Sequence, residues 1–174
     1  LNFHMIGAII QARMGSNRLP GKMQKVIGNQ TLIDWVIYRL NKSRLLNKII
    51  LASTIKKEDK IFAEIAKKFN IKYFFGNEND VLNRYYEAAL ENKLEHIVRI
   101  CADNPFVDPI QIDNLIDFYK KNSCDYTANN QNLFNSGYAD GFGAEIFSFD
   151  VLSQMKKCVF KQKHKEHVTL YIKE

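Results

Sequence analysis

Four short apolar runs, Ile6 to Ile10, Lys48 to Ala52, Ile71 to Phe75 and His96 to Ile100, recur along the chain with helical patterns between them. Runs of this length, rich in Ile, Leu and Val, read as strands buried on both faces. Between them Leu32, Ile33, Val36, Ile37 and Leu40 fall at helical spacing, as do Ile61, Ile65 and Phe69, and then Val81, Leu82, Tyr85 and Ala89. Thr31 with Asp34 makes a capping box, and Asp108 before Pro109 is an N-cap with proline at the first helical position. Strands alternating with helices build βαβ units, so an α/β fold with a mainly parallel sheet is expected. In such a sheet the ligand site lies beyond the carboxyl ends of the strands. Three loops leave predicted strands at that edge: Gln11 to Lys22, Gly76 to Asp80 and Ala102 to Asp108.

Beyond Ala128 the pattern loosens. Asn129 to Ser136 reads as a polar loop, Gly143 to Phe149 alternates like a strand, and Val151 to Lys157 and Lys165 to Lys173 look helical. At 174 residues the chain fits one domain, taken here as 5–174, with 1–4 as frayed residues before a natural start at Met5. No apolar run is long enough to span a bilayer. Three widely spaced cysteines, Cys101, Cys124 and Cys158, form neither a CxxC nor a disulfide framework, which points to a reducing, cytoplasmic setting. The net charge of +6 is spread as isolated pairs such as Lys67-Lys68, without the clustering and interleaved aromatics of a nucleic-acid stripe. A small anionic ligand accounts for the surplus equally well.

The first loop concentrates the chemistry. It reads Gln11-Ala12-Arg13-Met14-Gly15-Ser16-Asn17-Arg18-Leu19-Pro20-Gly21-Lys22. Glycines let backbone N–H groups approach phosphate oxygens, and the arginines and lysine neutralise them. It is not a Walker A loop: five residues separate Gly15 from Gly21 where four are needed, and Met23 stands where Ser or Thr belongs. The plain alternative is a basic surface loop. Asp103 follows the fourth strand, and one carboxylate with phosphate oxygens and water suits Mg²⁺; as an ordinary feature it is a turn aspartate before Asn104-Pro105. Arg84 sits on the helix after Gly76 to Asp80, four residues from Asp80, where a surface ion pair is the ordinary reading. His164, Glu166 and His167 lack HExxH spacing and stand among lysines, so a solvated helix or subunit contact, as in a homodimer, is expected rather than a metal site. No GxSxG elbow supports hydrolase chemistry.

The run Ile9 to Lys22 resembles the signature of cytidylyltransferases that activate acylneuraminate-type and octulosonate sugars, a group that includes spore-coat polysaccharide biosynthesis proteins. Gly76 to Tyr85, Ala102-Asp103-Asn104-Pro105, Asp140 to Ser148 and Glu166-His167-Val168-Thr169 extend the resemblance from Ile6 to about Ile172. It implies a nucleotide-diphospho-sugar transferase fold, a three-layer α/β/α sandwich. It further implies CTP as nucleotide, with Gln11, Ala12, Arg13, Gly15, Ser16 and Lys22 around the triphosphate and Arg84 at the base or ribose. Arg13, Lys22 and Asp103 would be catalytic, Asp103 holding Mg²⁺, and Asp140 and Glu145 would lie on the side of a small acidic acceptor. The family often carries a further acidic residue near Gly143, absent here, and usually continues beyond Thr169 with a closing strand and a second acidic residue near the metal. Uridylyl or guanylyl transfer on the same fold, and nucleotide sensing without turnover, are the alternatives.

Overall fold

A computed structural model describes residues 5–16, 18–129, 139 and 141–174. The chain runs β1 (Ile6–Gln11), a 3-10 turn (Lys22–Gln24), β2 (Val26–Ile27), β3 (Gln30–Thr31), α1 (Leu32–Leu40), β4 (Lys48–Thr54) and a second 3-10 turn (Lys57–Lys60). It continues through α2 (Ile61–Lys68), β5 (Lys72–Gly76), α3 (Val81–Glu91), β6 (His96–Cys101), α4 (Pro109–Asn122) and β7 (Tyr126–Ala128). Last come β8 (Glu145–Ser148), α5 (Phe149–Cys158), α6 (Gln162–Glu166) and α7 (Leu170–Lys173).

The main sheet has the order β5-β4-β1-β6-β8-β7. β5, β4, β1 and β6 are parallel, and β8 joins β6 antiparallel, with Glu145 opposite Arg99. Strand order reverses between β1 and β6, since the chain first builds outward through β4 and β5 and then returns to β1's other edge. Clefts in open α/β sheets form at such switch points.

β1 feeds both cores because successive side chains point to opposite faces. Ile6, Ala8 and Ile10 pack with α1, α2 and α4, including Ile33, Phe62 and Ile116. Ile9 packs with Tyr85 and Ala88 of α3 and Leu152 and Met155 of α5 on the other face. The result is the expected three-layer α/β/α sandwich. Leu94 packs directly over Gly7, and a Cβ there would sit 2.5 Å from Leu94 Cδ2, so a side chain at this position would force Leu94 to move.

The caps form as the sequence dictates. Thr31 Oγ1 accepts from Asp34 N–H, and Asp108 Oδ1 accepts from Ile110 and Gln111 N–H ahead of Pro109. Two expectations need correction. The predicted helix over Lys165 to Lys173 is instead the end of α6 and the separate α7, because Val168 and Thr169 turn inward and are buried at 0% and 3% exposure. His164 is likewise buried, its Nε2 2.9 Å from Glu174 Oε2, and does not lie on a solvated face. The small β2–β3 hairpin, turning at Gly28 with φ of 66°, had no counterpart in the periodicity. No helix among the described residues is long and apolar enough to cross a membrane.

Candidate active site

The carboxyl ends of β1 and β6 open into a cleft of about 310 Å³ lined by the first loop on one side and Cys101, Ala102 and Asp103 on the other. Gln11, Ala12, Arg13, Ser16, Arg18 and Lys22 contribute from the loop, and Arg99 from β6. The topology thus brings Lys22 across the cleft from Asp103: Lys22 Nζ donates to Asp103 Oδ2 at 2.6 Å. Among the described residues four cations and one carboxylate face this space, an arrangement that favours a polyanion.

The loop's shape rests on Met14. Its carbonyl accepts the N–H groups of Ser16 (2.9 Å) and Gly21 (3.1 Å), and its own N–H donates to Asp59 Oδ1 at 2.7 Å. Asp59 is 1% exposed and also accepts from the Thr54 hydroxyl at the end of β4. A buried carboxylate therefore anchors a cationic loop from beneath. Gly21 closes the turn with φ of 67°, a conformation that suits glycine.

A smaller recess of about 100 Å³ adjoins the cleft through Gln11 and Arg13 and is closed by Glu78, Asn79, Val81, Gln162 and Glu166. Asn77 Oδ1 shapes its wall by accepting from Asn79 and Asp80 N–H, and Gln162 Nε2 donates to Asn79 O at 2.8 Å. Glu78 balances charge there, 2.7 Å from Lys56 Nζ and 3.9 Å from Arg13 Nη1.

Not every candidate residue reaches these spaces. Arg84 is 1% exposed; its Nη1 donates to Asn77 O at 2.8 Å, so it braces the Gly76 to Asp80 turn from behind. Burial depresses its basicity, and Asp80 caps α3 through Asn83 N–H instead of pairing with it. Gly15 shapes the loop without lining the cleft. Glu145 is fully buried, engaged by Arg99, Tyr126, Thr169 and Lys173, and touches the cleft only through Arg99. Burial alone would raise its carboxyl pKa, but the charge of Arg99 and the bond from Lys173 together hold it below the usual range. Asp140 lies outside the described residues. Gly143 could carry no acidic side chain, since a Cβ would sit 2.1 Å from Asn129 O.

Residues that escaped the sequence reading include Arg99 and Asp59. Arg99 had a visible signal, a charge inside the buried run His96 to Ile100. Asp59 had none, because Lys56 to Lys60 reads as a solvated charge run.

Among the described residues no three His, Cys, Asp or Glu side chains converge as a ready-made cage. Asp103 alone, half-exposed at the cleft, fits a cation that takes one or two carboxylates and completes its shell with phosphate oxygens and water.

Known proteins bear on this geometry. Residues 7–140 match the family model described as cytidylyltransferase. An uncharacterised protein of Methanocaldococcus jannaschii is 37% identical over 95% of this chain and 66% of its own length. The spore coat polysaccharide biosynthesis protein SpsF of Bacillus subtilis is 33% identical over 95% of this chain and 68% of its own. The chain therefore spans about two thirds of these relatives. Among solved structures, a cytidylyltransferase from Leptospira borgpetersenii superposes with a TM-score of 0.91 at 31% identity, covering 98% of this chain and 71% of that one. With a cation-lined cleft at the switch point of a three-layer sandwich, and a family match over most of its length, the chain belongs to the cytidylyltransferases.

Proposed function

We propose that this chain transfers a cytidylyl group from CTP to a small acidic acceptor, releasing pyrophosphate, in surface-polysaccharide biosynthesis in the cytoplasm. The supporting observation is the facing pair Lys22 and Asp103, 2.6 Å apart at the mouth of a cleft with three further cations. A triphosphate competes for the Lys22 ammonium, and a divalent cation competes for the Asp103 carboxylate. The Lys22 ammonium then neutralises part of the charge on the transferring phosphoryl oxygens, and a divalent cation held at Asp103 would neutralise more.

In the transfer, an acceptor oxygen forms a bond to the α-phosphorus of CTP. The bond from that phosphorus to the oxygen bridging to the β-phosphate breaks, pyrophosphate leaves with the electron pair, and the proton of an attacking hydroxyl passes to water. Such in-line displacement needs positioning and charge neutralisation more than covalent help. Arg13, Ser16 and Lys22 hold the phosphate tail. The recess beside Arg13, with polar Asn79 and Gln162, offers edges for the nucleoside. Bound at Asp103, Mg²⁺ would supply Lewis-acid neutralisation of the phosphate oxygens. A sugar acid such as an octulosonate or nonulosonate is the acceptor class the family resemblance favours.

Calorimetric titration with CTP, UTP, GTP and ATP in the presence of magnesium tests the nucleotide, and pyrophosphate release with a panel of acidic acceptors tests turnover. CTP is expected to bind best. Equal affinities for all four nucleotides, or binding without pyrophosphate release from any acceptor, would defeat this reading.

A further inference from the structure

Arg99 reaches the floor of the cleft from the middle of the sheet, its side chain 15% exposed. Nη1 donates to Glu145 Oε2 at 2.6 Å, while the buried Nε finds no acceptor among the described residues. Glu145 cannot balance this cation alone. Its carboxylate also accepts from Tyr126 OH (3.0 Å), from Thr169 Oγ1 (3.0 Å) and from the Lys173 ammonium. Among the described residues, two cations thus share one fully buried carboxylate, and the cluster carries a net positive charge beneath the cleft. The neighbouring carboxylate, Asp103, is already paired with Lys22. Buried charge without a full complement of partners is costly, and the unpaired Nε adds to that cost.

We infer that Arg99 forms the floor of an anion subsite in the cleft, taking a carboxylate or phosphate oxygen on the guanidinium edge that Glu145 does not occupy. Arginine is suited to this work, because its planar fork can engage Glu145 on one edge and an oxyanion on another. Glu145 is the positioning residue. Held by Tyr126, Thr169 and Lys173, it fixes the plane of the guanidinium before any ligand arrives. The anion comes either from the acceptor's acid group or from the nucleotide's phosphate tail, and only this last attribution rests on the cytidylyl-transfer reading.

The test follows the Arg99 Nε–H resonance of the ¹⁵N-labelled chain, assigned by its loss in Arg99→Lys, during titration with inorganic phosphate with and without saturating CTP. Phosphate is expected to shift the signal to saturation, and Arg99→Gln to weaken phosphate binding about tenfold, as for the loss of a charge-assisted pair. If the phosphate shift survives saturation with CTP, the subsite belongs to the acceptor. If CTP abolishes it and Arg99→Gln binds CTP about tenfold more weakly, the subsite belongs to the phosphate tail. A chain whose signal moves with phosphate but which binds no nucleotide keeps the subsite and loses the transferase reading. An Arg99 signal that phosphate leaves unmoved in the wild-type chain overturns the inference, and that measurement needs no variant to fold.

Discussion

Asp59→Ala should loosen the cationic loop and the whole domain together. The substitution removes the acceptor of two bonds, from Met14 N–H at 2.7 Å and from the fully buried Thr54 hydroxyl. Hydrogen bonds to a charged group contribute about 1.5–3 kcal/mol each, and a buried donor left without a partner costs about 1–3 kcal/mol. Met14 lies on the partly exposed loop and can be rehydrated, whereas the Thr54 hydroxyl cannot, so a total near 3 kcal/mol is expected. For a domain of this size that lowers Tm by roughly 6–12 °C. Asp59→Asn keeps one acceptor oxygen and should lose about half as much. Because Met14 O carries the Ser16 and Gly21 turns, releasing Met14 should also weaken CTP binding by about tenfold, the cost of misplacing preorganised donors. Thermal unfolding by circular dichroism and calorimetric titration give both numbers. An Ala variant melting within a degree of wild type would refute Asp59 as the anchor, and a stability loss with unchanged nucleotide affinity would refute its link to the loop.

Lys22→Ala should leave Tm nearly unchanged, since the side chain belongs to a loop, while lowering turnover by about 10²-fold or more in a pyrophosphate-release assay. Asp103→Asn should reduce magnesium-dependent turnover, because a neutral amide is a poor ligand for a hard cation; a wild-type magnesium titration would move the metal elsewhere. The depressed pKa of Glu145 makes stability pH-dependent. The native carboxyl titrates below its ordinary value of 4.5, so its contribution is complete above that pH and drains away as pH falls through the native value. Acid unfolding should steepen below about pH 4.5, and Glu145→Gln should flatten that limb while lowering stability at neutral pH.

The layers were legible because local pattern and tertiary role coincide in them. Ile6 to Ile10 is apolar because both faces of β1 are covered, and Asp108-Pro109 starts α4 through contacts within its own turn. The loop chemistry was legible because glycines and cations cluster in a single run. What could not be read depends on contacts that only the assembled fold creates. Asp59 looks solvated beside three lysines until Met14, 45 residues away, covers it. Arg84 offers the same surface cues as any helical arginine, and only the fold puts Asn77 O over its guanidinium and Gly76 against its stem. The break before α7 follows from the pull of the core on Val168 and of Glu145 on Thr169, neither of which leaves a Pro or Gly as a marker.

The position of β1 at the centre of the sheet governs the order in which the molecule can assemble. Its two edges are claimed by distant partners, Gly7 pairing with Lys48 on one side and Ile6 with His96 on the other. Closing such non-local pairs before they are rewarded makes folding slow compared with a helical domain of equal size. On a growing chain, the β5-β4-β1 half can form while β6 is still unmade, and it leaves β1 with one bare edge. Even after β6 docks, Arg99 has no carboxylate partner until β8 delivers Glu145 from 46 residues downstream. The late antiparallel strand therefore both covers the second edge of β6 and supplies the counter-charge of Arg99, so β6 is complete only once residues 145–148 are in place.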